Sequence, residues 1–188
     1  MEHDVILGRD GVVLRPLSIR DVPPFLALVD AAGWAGMSEP LPLSDQSMRD
    51  HLRRIIDNPS GLAFAVELEG RLVGRTTLYD LVPGLRVEVG NTIYAREVWG
   101  TRVNPTAKLL LFAYAFDQLG VGRVALRCDH RNQRSRDAIA RLGARFEGTL
   151  RRFRRAADGS IADVDYFSVT QEEWPDVRAN LEARLAER

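Results

Sequence analysis

An almost wholly apolar stretch, residues 106–119, constrains the fold more than any other part of the chain. Pro105 stands where a first-turn proline belongs, Asn104 can cap the start, and Gly120 ends the run, so the pattern predicts a helix. A helix that is apolar on every side must be covered by other elements. We therefore predict that this helix lies in the interior of a layered domain.

Strand-like runs lie on both sides of this helix in the sequence. Residues 62–68 and 72–79 flank Glu69-Gly70, a spacing typical of a hairpin, and residues 85–95 extend the pair to a meander. The patterns predict four more strands and four more helices: strands at 11–17, 121–129, 144–152 and 161–170, and helices at 18–32, 44–57, 132–142 and 172–188. This order predicts an α/β fold with a mixed sheet covered by helices on both faces.

The composition is that of an ordinary folded domain. With 188 residues, 45% of them hydrophobic and 28% charged, the chain fits a single domain over residues 1–188 and is not a disordered chain. The longest unbroken apolar run, Leu109 to Phe116, falls far short of the ~18 residues of a membrane span, and the first ten residues include acidic side chains. We expect a cytoplasmic protein that is neither inserted into a membrane nor secreted.

Cysteine and histidine are too sparse for a metal site. The chain has one cysteine, Cys128, and three scattered histidines, so no spacing matches a ligand set and we expect no metal. Cys128 alternates with Val124 and Leu126 in a predicted strand. We therefore interpret Cys128 as a small buried side chain rather than a nucleophile.

Charge is unevenly distributed along the chain, although the net charge is zero. The segment 123–155 holds eleven arginines and three acidic residues. Such a segment can bind a polyanion, which keeps an RNA- or ribosome-binding module open as an alternative function. The arginines of 151–155 would face alternate sides of a strand, however, and no RNA-binding motif accompanies them, so we expect no direct nucleic-acid binding.

The segment from Glu88 to Lys108 joins a predicted strand to a helix through a loop that contains Gly100. Free N–H groups and the positive end of the helix dipole meet at such a junction, which therefore suits a phosphate. Lys108, in the predicted first turn, would add a positive charge. Because glycine-containing loops precede helices in many proteins, the junction alone does not establish a phosphate site.

A second polar pair follows the next predicted strand. Asn132 and Ser135 are three residues apart, so they lie side by side if a helix begins near Asn132. They would then offer an amide and a hydroxyl group to a ligand that runs along the strand edge. The alternative is that Asn132 only caps the helix.

Five short motifs, taken in order, resemble the GNAT N-acetyltransferase superfamily. The similarity is greatest to its branch of ribosomal-protein N-terminal alanine acetyltransferases, and it extends over nearly the whole chain. The motifs are Glu88-Val-Gly, Trp99-Gly100-Thr101, Asn132-x-x-Ser135, Leu142-Gly143-Ala144 and Phe146-Glu147-Gly148. Each motif is loose by itself, but their order is specific.

The resemblance implies a mixed, mostly antiparallel central sheet of about seven strands, splayed between its fourth and fifth strands, with acetyl-CoA in the opening. Pantetheine would pair with the strand edge at Ile93 and Tyr94. Asn132 would bind the pantetheine arm, and Ser135 would protonate or stabilise the leaving thiolate. The pyrophosphate would lie on the loop and first turn, at Gly100, Thr101, Arg102, Val103 and Asn104, with Lys108 near it.

The phosphate loop departs from the family pattern. That pattern reads Gln/Arg-x-x-Gly-x-Gly/Ala, and this chain has Trp99, Arg102 and Asn104 at those places. The Arg102 side chain would either clash where backbone approaches phosphate or point outward to pair with a phosphate oxygen. This departure keeps a second alternative open, a catalytically degenerate CoA-binding module.

The chemistry of acetyl transfer to an amine requires further groups. A primary amine must lose its proton to attack a thioester, and Glu88 is the candidate base, with a carboxylate that would also attract the cationic substrate. An ion pair with an arginine is the alternative for Glu88. The backbone N–H of Ile93 or Tyr94 would stabilise the carbonyl oxygen, and Tyr166 is a weaker candidate acid.

The acceptor would lie against an early loop. The segment 32–37 and the Pro40-Leu-Pro42 turn occupy the acceptor side in such folds, where Trp34 would either stack on the substrate or cover the core. We expect the acceptor to be a primary amine on a protein N-terminus or a small metabolite. The sequence leaves the oligomeric state open, a homodimer included.

Overall fold

The computed structural model of the protein describes residues 3–187. Met1, Glu2 and Arg188, which belong to the predicted domain 1–188, lie outside the described residues. The described part contains eight strands: β1 Leu7–Arg9, β2 Val12–Pro16, β3 Leu62–Leu68, β4 Arg71–Val82, β5 Arg86–Tyr94, β6 Arg123–Asp129, β7 Arg145–Arg155 and β8 Ile161–Thr170. Its α-helices are α1 Val22–Leu28, α2 Ala31–Trp34, α3 Asp45–Ile56, α4 Val103–Ala113, α5 Gln133–Ala140 and α6 Trp174–Ala186.

The strands form one mixed sheet in the order β1-β2-β3-β4-β5-β6-β8-β7. Neighbouring strands are antiparallel except β5 and β6, which are parallel. The predicted mixed, mostly antiparallel α/β fold is therefore confirmed. The sheet has eight strands rather than about seven because β1, only three residues long, is too short to show an alternating pattern.

The sheet opens between β5 and β6. These strands pair only where Arg86 to Glu88 faces Arg123 to Ala125. Beyond that point the two strands have no ladder between them, so the edge of β5 from Val89 to Tyr94 is open on the β6 side. The predicted opening between the fourth and fifth of seven strands corresponds to β5 and β6, since β1 adds one strand to the count.

Two apolar cores lie on opposite faces of the sheet. One contains the α4 side chains, among them Val103, Leu111 and Phe112, packed with residues of α6. The other contains Phe25 of α1 and Met48 of α3. Helix α4 is buried as its apolar sequence predicts, and a π-helical turn, Tyr114–Gln118, continues it.

Helix α4 begins three residues earlier than predicted, and Asn104 does not cap it. Its N-cap is Arg102, which makes no side-chain capping bond. Gly100 adopts a positive φ of 75°, and the Thr101 hydroxyl accepts a 3.3 Å hydrogen bond from the Val103 N–H. These two features turn the chain into the helix before Asn104, which lies inside the first turn.

The predicted helix 18–32 is divided into a 3-10 turn, Ile19–Asp21, and helices α1 and α2. Asp30 breaks it, because the Asp30 carboxylate accepts a 2.7 Å hydrogen bond from the Gly33 N–H and so starts a new helix. The chain after α2 then turns back toward the open edge of β5. This loop becomes one wall of the cleft described below.

Candidate active site

A cleft of about 450 Å³ occupies the opening between β5 and β6. The loop before α4, the start of α5 and the loop after α2 complete its walls. Its lining contains several cations, among them Arg127, Arg134, Arg141 and Arg154. No carboxylate among the described residues lines it, so the cleft favours anionic ligands.

One end of the cleft is built from the start of α4. Gly100, Thr101 and Asn104, three of the residues predicted to hold the pyrophosphate, line it. No side chain caps the N-terminus of this eleven-residue helix apart from the Thr101 bond to Val103, so its first N–H groups and its dipole face the cleft. The Arg134 guanidinium stacks on the Trp99 ring at 3.6 Å from the ring centroid, which brings α5 against the loop.

Arg102 and Val103 do not contribute side chains to this end. Arg102 is partly exposed and points toward Glu69, with 3.9 Å between the guanidinium and the carboxylate. Val103 is fully buried in the core. The clash considered for Arg102 is therefore absent, and neither side chain lines the cleft in this conformation.

Lys108 lies in the second turn of α4, not the first, because the helix begins at Val103. Its ammonium donates hydrogen bonds to the hydroxyls of Thr92, at 2.7 Å, and Thr76, at 3.2 Å. The side chain lines the cleft against the sheet rather than at the helix start. Burial lowers the pKa of Lys108 to about 7.

The open edge of β5 presents the N–H of Tyr94. The Ala95 N–H donates to the Val73 carbonyl of β4 at 2.9 Å. Because N–H groups alternate sides along a strand, the N–H of Ile93 points to β4 and that of Tyr94 points to the cleft. Of the two residues predicted at this edge, Tyr94 is therefore the one whose N–H can bond a ligand.

Asn132 and Ser135 lie together at the start of α5, and both line the cleft. The Asn132 side-chain oxygen accepts a 3.1 Å hydrogen bond from the Ser135 N–H. This oxygen therefore caps α5, which was the alternative considered for Asn132. The amide nitrogen of Asn132 instead lies close to Gly36 in the loop after α2. A residue with a Cβ atom at position 36 would place that atom only 2.8 Å from this nitrogen. One side chain thus both caps α5 and spans the cleft.

Cys128 is buried, as predicted, but its place is the wall of the cleft. Burial raises the pKa of the Cys128 thiol to about 11, although a hydrogen bond with Ser135 acts in the opposite direction. The thiol therefore stays protonated at neutral pH and is a poor nucleophile. The Ser135 hydroxyl lies beside it.

Glu88 is buried behind the cleft rather than in its lining. Its carboxylate accepts a hydrogen bond from the Tyr79 hydroxyl and forms an ion pair with Arg127 at 2.9 Å. Burial raises the pKa of Glu88 despite the Arg127 charge. Glu88 thus forms the arginine ion pair that was the alternative to a base. Tyr79 and Arg127, which both contact Glu88, line the cleft and separate it from the carboxylate.

Trp34 does not face the cleft. It is 1% exposed, packs on His51 at a centroid distance of 5.0 Å, and donates from its indole N–H to the Glu39 carbonyl at 2.7 Å. The prediction that Trp34 stacks on the substrate is therefore corrected, because the ring covers the core. Gly36 and Met37 of the same loop line the cleft instead.

Three cleft residues were missed in the sequence. Arg154 holds the loop after α2 by donating to the carbonyls of Met37 at 3.0 Å and Gly36 at 2.9 Å. Arg127 and Tyr79 line the cleft near it. Local arginine density was the available signal for both arginines, but only the tertiary fold selects which of them enter the cleft.

Metal and membrane features are not found in residues 3–187. No group of three or more histidine, cysteine, aspartate or glutamate side chains there is arranged to hold a metal ion. Within the same residues, no helix has the length and apolar character needed to cross a bilayer.

A protein-family model described as an acetyltransferase (GNAT) domain matches residues 12–145. This chain belongs to the GNAT acetyltransferase family. The prediction of a GNAT N-acetyltransferase is thereby confirmed, and the degenerate and RNA-associated alternatives are not favoured. The cofactor of this family is acetyl-CoA.

The individual proteins that resemble this chain include some that are also described as acetyltransferases. "Putative ribosomal N-acetyltransferase YdaF" of Bacillus subtilis (strain 168) is 30% identical over 123 residues, which is 65% of this chain and 66%, just under two thirds, of that protein. A crystal structure of a putative acetyltransferase from T. thermophilus is 34% identical with a TM-score of 0.91, over 98% of this chain and 99% of that one. Mycobacterium smegmatis RimJ, in complex with CoA-disulfide, shares the fold at 24% identity and a TM-score of 0.78, over 92% and 88% of the two chains.

Proposed function

We propose that this acetyltransferase binds acetyl-CoA in the opening between β5 and β6 and transfers the acetyl group directly to a primary amine of a protein N-terminus or a small molecule. The observation that carries the proposal is a single cleft that joins the N-terminus of α4, which only the Thr101 hydroxyl caps, to an open strand edge. The helix start suits the pyrophosphate and the strand edge suits the amide groups of pantetheine. We also propose that residues 1–188 form one cytoplasmic domain.

The proposed transfer needs no covalent enzyme intermediate. The neutral amine nitrogen attacks the thioester carbonyl carbon, and the Tyr94 N–H stabilises the oxygen of the tetrahedral intermediate. The carbon–sulfur bond then breaks, and the electron pair leaves on the CoA sulfur. Ser135, beside Cys128 in the cleft wall, is positioned to donate a proton to that thiolate.

The amine proton leaves toward Glu88 in this proposal. Tyr79 lines the cleft and its hydroxyl bonds the Glu88 carboxylate, so a proton from the amine can reach Glu88 through the tyrosine. The raised pKa of Glu88 makes the carboxylate a better proton acceptor than an exposed glutamate. Glu88 acts through Tyr79, which makes it a positioning residue for the proton path.

Ser135→Ala is expected to lower kcat about tenfold to 100-fold, with a much smaller change in the KM for acetyl-CoA. The hydroxyl assists departure of the thiolate but does not carry ground-state binding. Thiol release in the presence of an amine panel, with mass spectrometry of the acetylated product, measures both parameters. Ser168→Ala, which removes a buried hydroxyl from outside the cleft lining, is the control. Equal losses in both variants, or release of thiol without acetylated product, would contradict the proposal.

A further inference from the structure

A second cavity of about 190 Å³ opens beside the cleft. It shares Met37, Ser38 and Asn91 with the cleft, and α3 and β4 supply its other walls. We use the name side pocket for this cavity. Met37 and Ser38 belong to the loop after α2, where we expect the acceptor, so a substrate whose amine lies in the cleft can place a neighbouring group in the side pocket.

A buried positive charge lies directly behind the side pocket. Arg75 is fully buried, and its guanidinium donates to the Asn91 carbonyl at 2.8 Å and to a nitrogen of His51 at 2.9 Å. No carboxylate of residues 3–187 forms an ion pair with it. Burial lowers the pKa of Arg75 to about 9, so it remains charged at neutral pH without a contacting counter-ion.

His51, the side chain that contacts Arg75, is neutral and does not change the charge behind the side pocket. A guanidinium can only donate, so the Nε2 of His51 accepts from Arg75 and the ring hydrogen is on Nδ1, which donates to Glu39 at 3.3 Å. Burial lowers the pKa of His51 to about 4, with the Arg75 charge as the second cause. His51 is therefore neutral and held in one tautomer.

The other charges around the side pocket leave a positive excess. Glu39 is the acidic residue in its described lining, and it already pairs with Arg54. No carboxylate contacts Arg75 directly in the described residues, and the Glu39 charge acts on it only through space. On the cleft side, Arg154 binds the carbonyls of Met37 and Gly36, and the Lys108 ammonium binds the hydroxyls of Thr76 and Thr92.

An unused hydrogen-bonding group faces the same space. Thr77 lines the side pocket and is 1% exposed, yet its hydroxyl has no hydrogen-bond partner. A buried hydroxyl without a partner is costly, and a ligand that accepts a hydrogen bond from it would remove that cost. The pocket thus combines an unpartnered hydroxyl in its lining with a buried positive charge, Arg75, behind its His51 and Asn91 wall.

We propose that the side pocket binds a carboxylate of the acceptor, so that the enzyme prefers amines that carry an acidic group close to the nitrogen. The inference rests on the proposed function and specifies its substrate class. Two sources have this chemistry: the α-carboxylate of a free amino acid, and an aspartate or glutamate side chain at the first or second position of a peptide.

Matched acceptors test the preference. We expect kcat/KM at least about tenfold higher for Ala-Asp than for Ala-Asn peptides, or for Asp-Ala than for Asn-Ala peptides, or for free alanine than for alaninamide, because a charge-assisted bond replaces a neutral one. The arm that shows the difference identifies the source of the carboxylate. Equal values in all three pairs would overturn the inference and leave the proposed function standing, whereas no acetylation of any amine would defeat both.

Two variants locate the preference. Asn91→Asp adds a negative charge to the pocket wall, and aspartate tolerates the positive φ of 49° at this position, so the preference should disappear. Thr77→Val should reduce it severalfold. Thr106→Val is the matched control, because Thr106 also has a buried, unpartnered hydroxyl but lines neither cavity. A preference that survives Asn91→Asp, or falls equally in both threonine variants, would overturn the inference.

Discussion

Glu88→Gln is expected to lower kcat/KM about 100-fold near pH 6 and only severalfold near pH 9. At high pH the amine is already neutral and needs no base, so the variant approaches the wild type. At low pH the amine must lose a proton, and glutamine cannot accept one from Tyr79. Since the pKa of Glu88 is raised by burial, the wild-type rate itself should fall as acid protonates this carboxylate.

The ratio of variant to wild-type kcat/KM across pH is the decisive quantity for Glu88. A purely structural loss from the broken Arg127 ion pair would lower the rate by the same factor at every pH. Tyr79→Phe should reproduce the pH-dependent ratio because it removes the link to the cleft. Glu147→Gln, which removes a carboxylate paired with Arg123 outside the cleft lining, should leave the profile unchanged. A constant ratio for Glu88→Gln would remove Glu88 from the proton path.

Lys108→Met is expected to stabilise the protein by about 2 kcal/mol at neutral pH, because an apolar side chain of similar length replaces a buried charge without a counter-ion. Loss of the two threonine hydrogen bonds offsets part of the gain. The same change should weaken acetyl-CoA binding if the cation in the cleft serves the ligand. The chain would then gain stability and lose affinity together.

The pH dependence of the free energy of unfolding separates the cost of the buried Lys108 charge from any change in packing caused by Lys108→Met. The folded pKa of Lys108 is about 7, well below the unfolded value of about 10.4, so between these values the unfolded chain binds a proton that the folded chain lacks. The free energy of unfolding of the wild type should therefore rise by about 1 kcal/mol per unit between pH 7 and 9, relative to Lys108→Met. Urea denaturation measures the free energy of unfolding of both proteins at each pH. A difference between the two proteins that stays constant from pH 7 to pH 9 would contradict this prediction.

Local patterns predicted most of the elements, whereas their ends depended on individual hydrogen bonds. The apolar run 106–119 indicated a buried helix, but its start at Val103 depends on Gly100 and on the Thr101 hydroxyl. The predicted helix 18–32 failed because the Asp30 capping bond divides it. In both cases a single side-chain or backbone bond outweighs the periodicity.

The candidate site was predictable where a motif lies at the end of an element, and less so where tertiary contacts decide. Asn132 and Ser135 are both in the cleft because they begin the helix that follows β6. Trp34 is instead buried, and Glu88 lies behind Tyr79, since the depth of a side chain depends on elements distant in sequence. For the same reason the sequence did not indicate that Arg75 is fully buried and has no carboxylate in contact with it.

Calorimetric titration of acetyl-CoA tests the central claim most directly, with a nucleotide that lacks the pantetheine arm as control ligand. We expect saturable binding with a Kd of about micromolar, and about tenfold weaker binding by Asn132→Ser, in which serine still caps α5 but the amide group is gone. Absence of saturable heat with acetyl-CoA would contradict binding in the cleft. Equal affinity for the control nucleotide, or an unchanged Kd in Asn132→Ser, would contradict the placement of pantetheine along β5.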